Sequence, residues 1–212
     1  MALNLGTILQ ASAADRPNHP VIKLGERVLG YAELDRAARG VATALHDRGV
    51  RPGDKVALLI PNVPEFTIAY FGILYAGATV VPINVLAAAP EVHYFLEDSE
   101  AKLLIPHPFF AEPARRGAAD AGRPLLLAGG GPGQGTLEEM QEAEPIDVPH
   151  PTSPDDTAVI LYTSGTTGKP KGAELTHSNL FVNCAFVVPR LLPAIEPDRF
   201  VAIAILPLFH SF

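Results

Sequence analysis

The sequence has no tryptophan, two methionines and a single cysteine, Cys184. One cysteine cannot close a disulfide within the chain, so stability has to come from a packed core, and the composition fits a reducing compartment. Cys184 itself reads as a small buried hydrophobe on a helix. Basic residues are scarce: 16 Lys and Arg stand against 23 Asp and Glu, a formal net charge of −7 with no basic run to offset it. That balance argues against a nucleic-acid face. The histidines form neither a His-Glu-x-x-His pattern nor a Cys/His cluster, so no metal site is expected. No basic region and no long apolar core stand before Asp15. A secretory signal is therefore not expected, and a cytoplasmic protein is.

Charge is also missing from residues 66–90, a run of 25 residues long enough for a membrane span. Gly72, Gly77, Pro82, Asn84 and Pro90 punctuate it, and Thr79-Val-Val-Pro-Ile83 is β-branched like a strand. A buried helix followed by a buried parallel strand explains the run, and no integral membrane segment is expected.

What is present is an alternating pattern. Residues 3–14 read as a short amphipathic helix, and residues 21–24 and 27–29 flank Gly25-Glu26 as a hairpin would. Leu34, Ala38, Val41 and Leu45 recur at three- and four-residue steps, and Gly49 stands where a helix stops. Strands are then predicted at 55–60, 79–81, 101–105 and 124–127, with helices between them at 64–76, 90–97 and 109–121. Repeated β-α-β units with nearly continuous apolar strands predict an α/β fold, a parallel sheet with helices on both faces. Ligands in such sheets collect at the carboxyl ends of the strands. Residues 129–135 are glycine-rich without fitting a dinucleotide fingerprint and read as a surface loop. Residues 144–156, proline-rich and acidic, look like a linker.

An apolar run, Ala158-Val-Ile-Leu161, leads into Leu161-Tyr-Thr-Ser-Gly-Thr-Thr-Gly-Lys-Pro-Lys-Gly172. Gly165, Gly168 and Gly172 carry no Cβ and let backbone N–H groups approach an anion. Thr163, Ser164, Thr166 and Thr167 add rotatable hydroxyl donors, and Lys169 and Lys171 add compact positive charge. The residue types suit a triphosphate. The spacing is not that of a Walker loop, because only two residues separate Gly165 from Gly168 and Pro170 follows Lys169. Glu65, Asp98 and Glu100 have no partner in the sequence and are expected as solvated charges. His177 lies where Thr176 and Ser178 can cap a following helix, and local capping is its expected role.

Residues 162–172 resemble the phosphate-binding signature of the adenylate-forming superfamily, which includes acyl- and aryl-CoA synthetases, peptide-synthetase adenylation domains and beetle luciferases. Tyr31-Ala-Glu-Leu-Asp35, Arg51-Pro-Gly-Asp-Lys-Val-Ala-Leu-Leu-Ile-Pro-Asn62, Gly72-Ile-Leu-Tyr-Ala-Gly-Ala-Thr-Val-Val-Pro-Ile-Asn84 and Leu96-Glu-Asp-Ser-Glu-Ala-Lys-Leu-Leu-Ile105 look like stretches found in that order in acyl-CoA synthetases. Leu206-Pro-Leu-Phe-His-Ser-Phe212 resembles the next family motif.

The resemblance implies that residues 1–212 are the N-terminal part of a large ATP- and acyl-binding domain. The rest of that domain and a mobile C-terminal domain would lie outside the chain. It implies an ATP-dependent acyl-CoA ligase, with a fatty acid favoured, that forms an acyl-adenylate and then a coenzyme A thioester. ATP, coenzyme A and a carboxylic acid are the implied partners, with magnesium as the ion and its protein ligand beyond residue 212. The phosphate cradle implied is Thr163, Ser164, Gly165, Thr166, Thr167, Gly168 and Lys171, since the family keeps a lysine matching Lys171 and varies at Lys169. His210 falls on the histidine of the family's Pro-x-x-His motif, at the junction of the acyl and adenylate pockets. The 212 residues alone are expected to fold, to be inactive and to self-associate. The alternatives are a carrier-protein-loading adenylation enzyme and a non-catalytic folded module.

Overall fold

The computed structural model describes residues 2–129, 136–163, 169–191, 196 and 200–210. The first helix, α1 (Thr7–Asp15), begins later than the 3–14 pattern suggests. Asn4 is taken up by tertiary bonds instead: its Nδ2 donates to the carbonyls of Leu74 (2.6 Å) and His150 (3.0 Å), and its Oδ1 accepts from Gly6 N–H. Only Leu9 of α1 is buried, so the helix is less amphipathic than expected. Strands β1 (Pro20–Leu24) and β2 (Arg27–Gly30) form the expected antiparallel hairpin, with Gly25 in its turn at φ +60°.

Helix α2 (Tyr31–Asp47) buries Leu34, Ala38, Val41 and Leu45, the stripe read from the sequence, and stops just before Gly49 at φ +84°. The alternation that follows is β3 (Lys55–Leu59), α3 (Pro64–Tyr75), β4 (Thr79–Pro82), α4 (Ala89–Asp98), β5 (Leu103–Pro106) and α5 (Ala111–Asp120). A 3₁₀ turn, Pro108–Phe110, precedes α5. Pro64 and Pro90 sit in the first turns of α3 and α4, where a missing N–H costs no bond. Helices α2 and α3 pack so closely at Gly72 that an added Cβ would stand 2.5 Å from Cγ1 of Val41.

The main sheet has the order β5-β3-β4-β6-β7, where β6 is Thr157–Thr163 and β7 is Lys171–Thr176. Strands β5, β3, β4 and β6 run parallel; β7 returns antiparallel beside β6, a strand the sequence reading did not predict. Alternate residues feed two cores. Val56, Leu58, Ile60 and Val80 meet α2, α3 and α6 (Leu137–Gln141), while Ala57, Leu59 and Val81 meet Val92 and Leu96 of α4 and Ala114 of α5. Both faces of the central strands are therefore covered, and each buried leucine side chain contributes about 1.5–3 kcal/mol.

Three local expectations need correction. Residues 124–127 form no strand but isolated bridges, Leu104 with Leu125 and Leu127 with Thr136, because Pro124 supplies only a carbonyl to the edge. The proline-rich stretch at 144–156 is irregular but anchored: Thr152 and Leu3 exchange backbone and side-chain bonds of 2.7–2.8 Å, and His150 N–H donates to Tyr75. Cys184 is exposed. It lies in a π-helical turn, Asn183–Val187, after α7 (His177–Val182) and before α8 (Val188–Leu191), where Val182, Phe186 and Leu191 are also exposed. The glycine-rich residues 130–135 lie outside the described residues. Among those described, no helix is long and apolar enough to cross a membrane.

Candidate functional site

The carboxyl ends of the parallel strands define one side of the sheet, and β6 reaches it at Thr163. Lys171 opens β7 directly opposite: Thr163 and Lys171 are Cα partners in the antiparallel ladder, as are Tyr162 and Gly172. The hairpin thus brings a hydroxyl and an ammonium, both exposed, to the two ends of the intervening loop. Ser164, Gly165, Thr166, Thr167 and Gly168 lie outside the described residues.

Helix α4 supports this hairpin from the other core. Tyr162 Oη donates to Asp98 Oδ2 (2.7 Å), and its ring lies 4.6 Å from that of Phe95. Burial first, and then the bond to Asp98, push the Tyr162 phenol well above its ordinary range, so it stays a proton donor. Tyr94 Oη donates to the carbonyl of Pro170 (2.8 Å), with Asp98 Oδ1 farther off at 3.4 Å. Lys169 Nζ lies 5.8 Å from the centre of the Tyr94 ring, a cation–π distance. Asp98 was expected as a bare solvated charge; it is instead the acceptor for the Tyr162 hydroxyl.

The other two acids are paired as well. Glu65 is 9% exposed and forms an ion pair with Arg27, and Glu100 meets Lys55 at 3.4 Å on the surface. The first of these satisfies a carboxylate that burial would otherwise strand. His177 departs from its expected role too. Thr176 caps α7, its Oγ1 accepting from Asn179 N–H at 3.2 Å, while His177 is buried and its Nδ1 accepts from Leu5 N–H at 2.9 Å.

His210 is exposed, on a segment that returns to the carboxyl side of β3. Asn62 holds that segment with every polar atom of its amide: Nδ2 donates to Ala204 and Leu206 carbonyls at 2.8 Å each, and Oδ1 accepts from Leu208 N–H at 2.9 Å. His210 N–H donates to Pro207 O at 3.1 Å, closing the turn of the Pro-Leu-Phe-His motif. Asn62 and Asp98 lie inside stretches that resemble acyl-CoA synthetase sequences, but nothing in the sequence told which atoms they would hold.

A cavity of about 380 Å³ lies at the amino ends of the strands, lined by Lys55, Thr79, Asp156 and Glu174 among others. It is on the opposite side of the sheet from the Thr163–Lys171 pair and takes no part in the site.

The signature hairpin at the carboxyl end of a mostly parallel sheet matches a family model described as AMP-binding enzyme over residues 9–212. The chain belongs to that family. A feruloyl-CoA synthase from Amycolatopsis is 40% identical over 92% of this chain and 37% of its own length. A 4-coumarate–CoA ligase from Oryza sativa is 34% identical over 86% of this chain and 33% of its own. Among solved structures, ATP-bound MatB from Rhodopseudomonas palustris superposes with a TM-score of 0.85 at 32% identity, covering 99% of this chain and 41% of that one. A long-chain-fatty-acid-CoA ligase from Archaeoglobus fulgidus gives 0.87 at 26% identity, with 99% and 43% covered. These relatives and structural neighbours are adenylate-forming CoA ligases, and the chain spans about two fifths of their length or less.

Proposed function

We propose that these 212 residues are the N-terminal part of the large domain of an ATP-dependent acid–CoA ligase. The observation that carries the reading is the Thr163–Lys171 pair, a hydroxyl and an ammonium in register at the mouth of a hydroxyl- and glycine-rich loop, on the carboxyl side of the sheet. In the proposed reaction a substrate carboxylate oxygen attacks the α-phosphorus of ATP and the bond to the β-phosphate oxygen breaks, releasing pyrophosphate. The thiolate of coenzyme A then attacks the acyl carbon and AMP leaves. Lys171, Thr163, Ser164, Thr166, Thr167 and the backbone at Gly165 and Gly168 hold the β- and γ-phosphates, so that charge on the leaving group is met by hydrogen-bond donors and an ammonium.

The acyl donor is a fatty acid or a related acyl acid, in keeping with the Pro-Leu-Phe-His segment. An aromatic acid is the second reading, favoured by the likeness to feruloyl-CoA synthase and 4-coumarate–CoA ligase. A cytoplasmic setting goes with the lone cysteine. Among the described residues no three or more His, Cys, Asp or Glu side chains gather as a metal site.

The test is isotope exchange with the full-length protein: with ATP, magnesium and a fatty or aromatic acid, labelled pyrophosphate enters ATP. No exchange across a broad panel of carboxylic acids would sink the adenylation claim. The isolated 212 residues should give none, and their exposed Phe200, Val201, Ile203 and Ile205 favour self-association.

His210 is proposed to act at the acyl and thiol side. Because Asn62 fixes the turn that carries it, Asn62→Ala should share the phenotype of His210→Ala. Both variants raise the KM for the acid or for coenzyme A, Asn62→Ala by about fivefold as three neutral hydrogen bonds loosen, with the KM for ATP nearly unchanged. A KM effect confined to ATP in either variant would remove His210 from this role.

A further inference from the structure

We propose that Tyr94 and Asp98 of α4, together with Tyr162, are positioning residues that tether the signature hairpin to the body of the domain and so fix where Thr163 and Lys171 meet ATP. The inference rests on the ligase reading above and adds to it residues that touch no phosphate.

The sheet alone does not hold the Thr163–Lys171 end of the two strands. Strand β6 is registered against β4 at a single Cα pair, Val80 with Val159, near its start. Thr79 Oγ1 adds a bond to Thr157 O at 2.7 Å, again at the start. Tyr162 and Thr163 lie three and four residues beyond Val159, and their ladder partners, Gly172 and Lys171, belong to the same hairpin. The antiparallel bonds keep the two limbs together but do not fix the pair relative to β3 and β4. Strand β7 is exposed along Lys171–Glu174, so no layer from its outer side holds it among the described residues.

Helix α4 supplies the missing attachment, and it grips both limbs. On the β6 limb the Tyr162 hydroxyl reaches Asp98 at 2.7 Å, and the Tyr162 ring packs on Phe95 and Tyr94 at 4.6 and 6.3 Å. On the other limb the Tyr94 hydroxyl reaches the carbonyl of Pro170, next to Lys171, at 2.8 Å. A tyrosine hydroxyl has one proton to give. The Tyr94 proton belongs to Pro170, the nearer acceptor, which leaves Asp98 fully available to Tyr162. Residues 94 and 98 are one helical turn apart and lie on the same face of α4. Phe95 and Leu96 anchor that helix in the second core, so the attachment is rigid at its far end.

The Tyr94 ring has a second consequence. It holds Lys169 at a cation–π distance and so keeps that ammonium over α4. Two lysines separated by one proline are thereby given different surroundings, Lys169 over an aromatic ring and Lys171 at the mouth of the loop.

The experiment uses the full-length ligase and three variants, Asp98→Leu, Asp98→Asn and Tyr162→Phe. Leucine removes both acceptor oxygens at similar size; asparagine keeps one for Tyr162. In pyrophosphate exchange, Asp98→Leu should raise the KM for ATP about fivefold and leave the KM for the acid within about twofold, with Asp98→Asn close to the unaltered enzyme. The double variant Asp98→Leu with Tyr162→Phe should be no worse than Asp98→Leu alone, because both remove the same bond. Equal losses in both KM values, additive variants, or an Asp98→Asn as damaging as Asp98→Leu would overturn the positioning role. Hydrogen exchange of the 171–176 amides gives a readout independent of turnover: faster in Asp98→Leu supports the tether, and unchanged rates overturn it. If the unaltered protein makes no adenylate, the ligase reading fails, and amide exchange alone decides whether α4 holds the hairpin.

Discussion

Replacing Lys171 by alanine should slow acyl-adenylate formation in the full-length enzyme at least about tenfold, and Lys169→Ala should do less. A charge-assisted contact to phosphate is worth roughly 1.5–3 kcal/mol, and 1.36 kcal/mol of barrier is tenfold in rate. Lys171 is the residue proposed for that contact. It begins β7 opposite Thr163, with its side chain exposed on the carboxyl side of the sheet. Lys169 is two residues earlier, and its ammonium stands over the Tyr94 ring. Removing it costs a surface cation–π contact of about 0.5–1 kcal/mol and no phosphate donor. Single-turnover measurement of adenylate formation, with ATP saturating and then limiting, separates the two variants. If Lys169→Ala proved the more damaging change, the placement of both side chains would have to be abandoned.

Much of this arrangement was legible in the sequence, for identifiable reasons. Strands β3, β4 and β5 are short apolar runs between Gly, Pro and Asp punctuation, and α2 carries its core stripe at helical spacing, so local pattern and tertiary burial agree. Residue type, order and spacing singled out Thr163 and Lys171 as a place for an anion, and the structure sets the two opposite each other across the hairpin; that they bind phosphate is the proposal above. Strand β7 escaped because Lys171-Gly-Ala-Glu-Leu-Thr176 is mostly exposed and shows no clean alternation; its partner β6, not its composition, makes it a strand. Cys184 was misread because burial depends on what covers a segment, and nothing among the described residues covers the outer side of Asn183–Val187. The functions of Asp98, Asn62 and His177 share one obstacle. Each bonds a group 64 to 172 positions away in sequence, a pairing that no single-sequence pattern records.

His177 carries the last expected result, a loss of stability that depends on pH. The residue is 1% exposed, and its Nδ1 accepts from Leu5 N–H at 2.9 Å, joining the start of α7 to the N-terminal segment. His177→Leu leaves that buried N–H without an acceptor and should destabilise the protein by about 1–3 kcal/mol. The ring must be neutral at Nδ1 to accept. Burial holds its pKa below the ordinary value of 6.5, with nearby Asp156 acting weakly in the opposite sense. The sign follows from proton binding: where the unfolded chain takes up the proton first, stability rises with pH. The contribution of His177 is therefore complete above pH 6.5 and is lost as pH falls from 6.5 toward the lower folded-state value. His107 is also held low, chiefly by burial, so the unaltered protein's curve sums both groups. The difference between that curve and those of the variants isolates His177. Urea unfolding between about pH 5 and pH 8 should show His177→Leu less stable and less pH-dependent. His177→Asn, which offers Oδ1 in place of Nδ1 and does not titrate, should recover part of the stability with the same reduced slope. A His177→Leu curve parallel to that of the unaltered protein would show that the imidazole is not what senses pH at this joint.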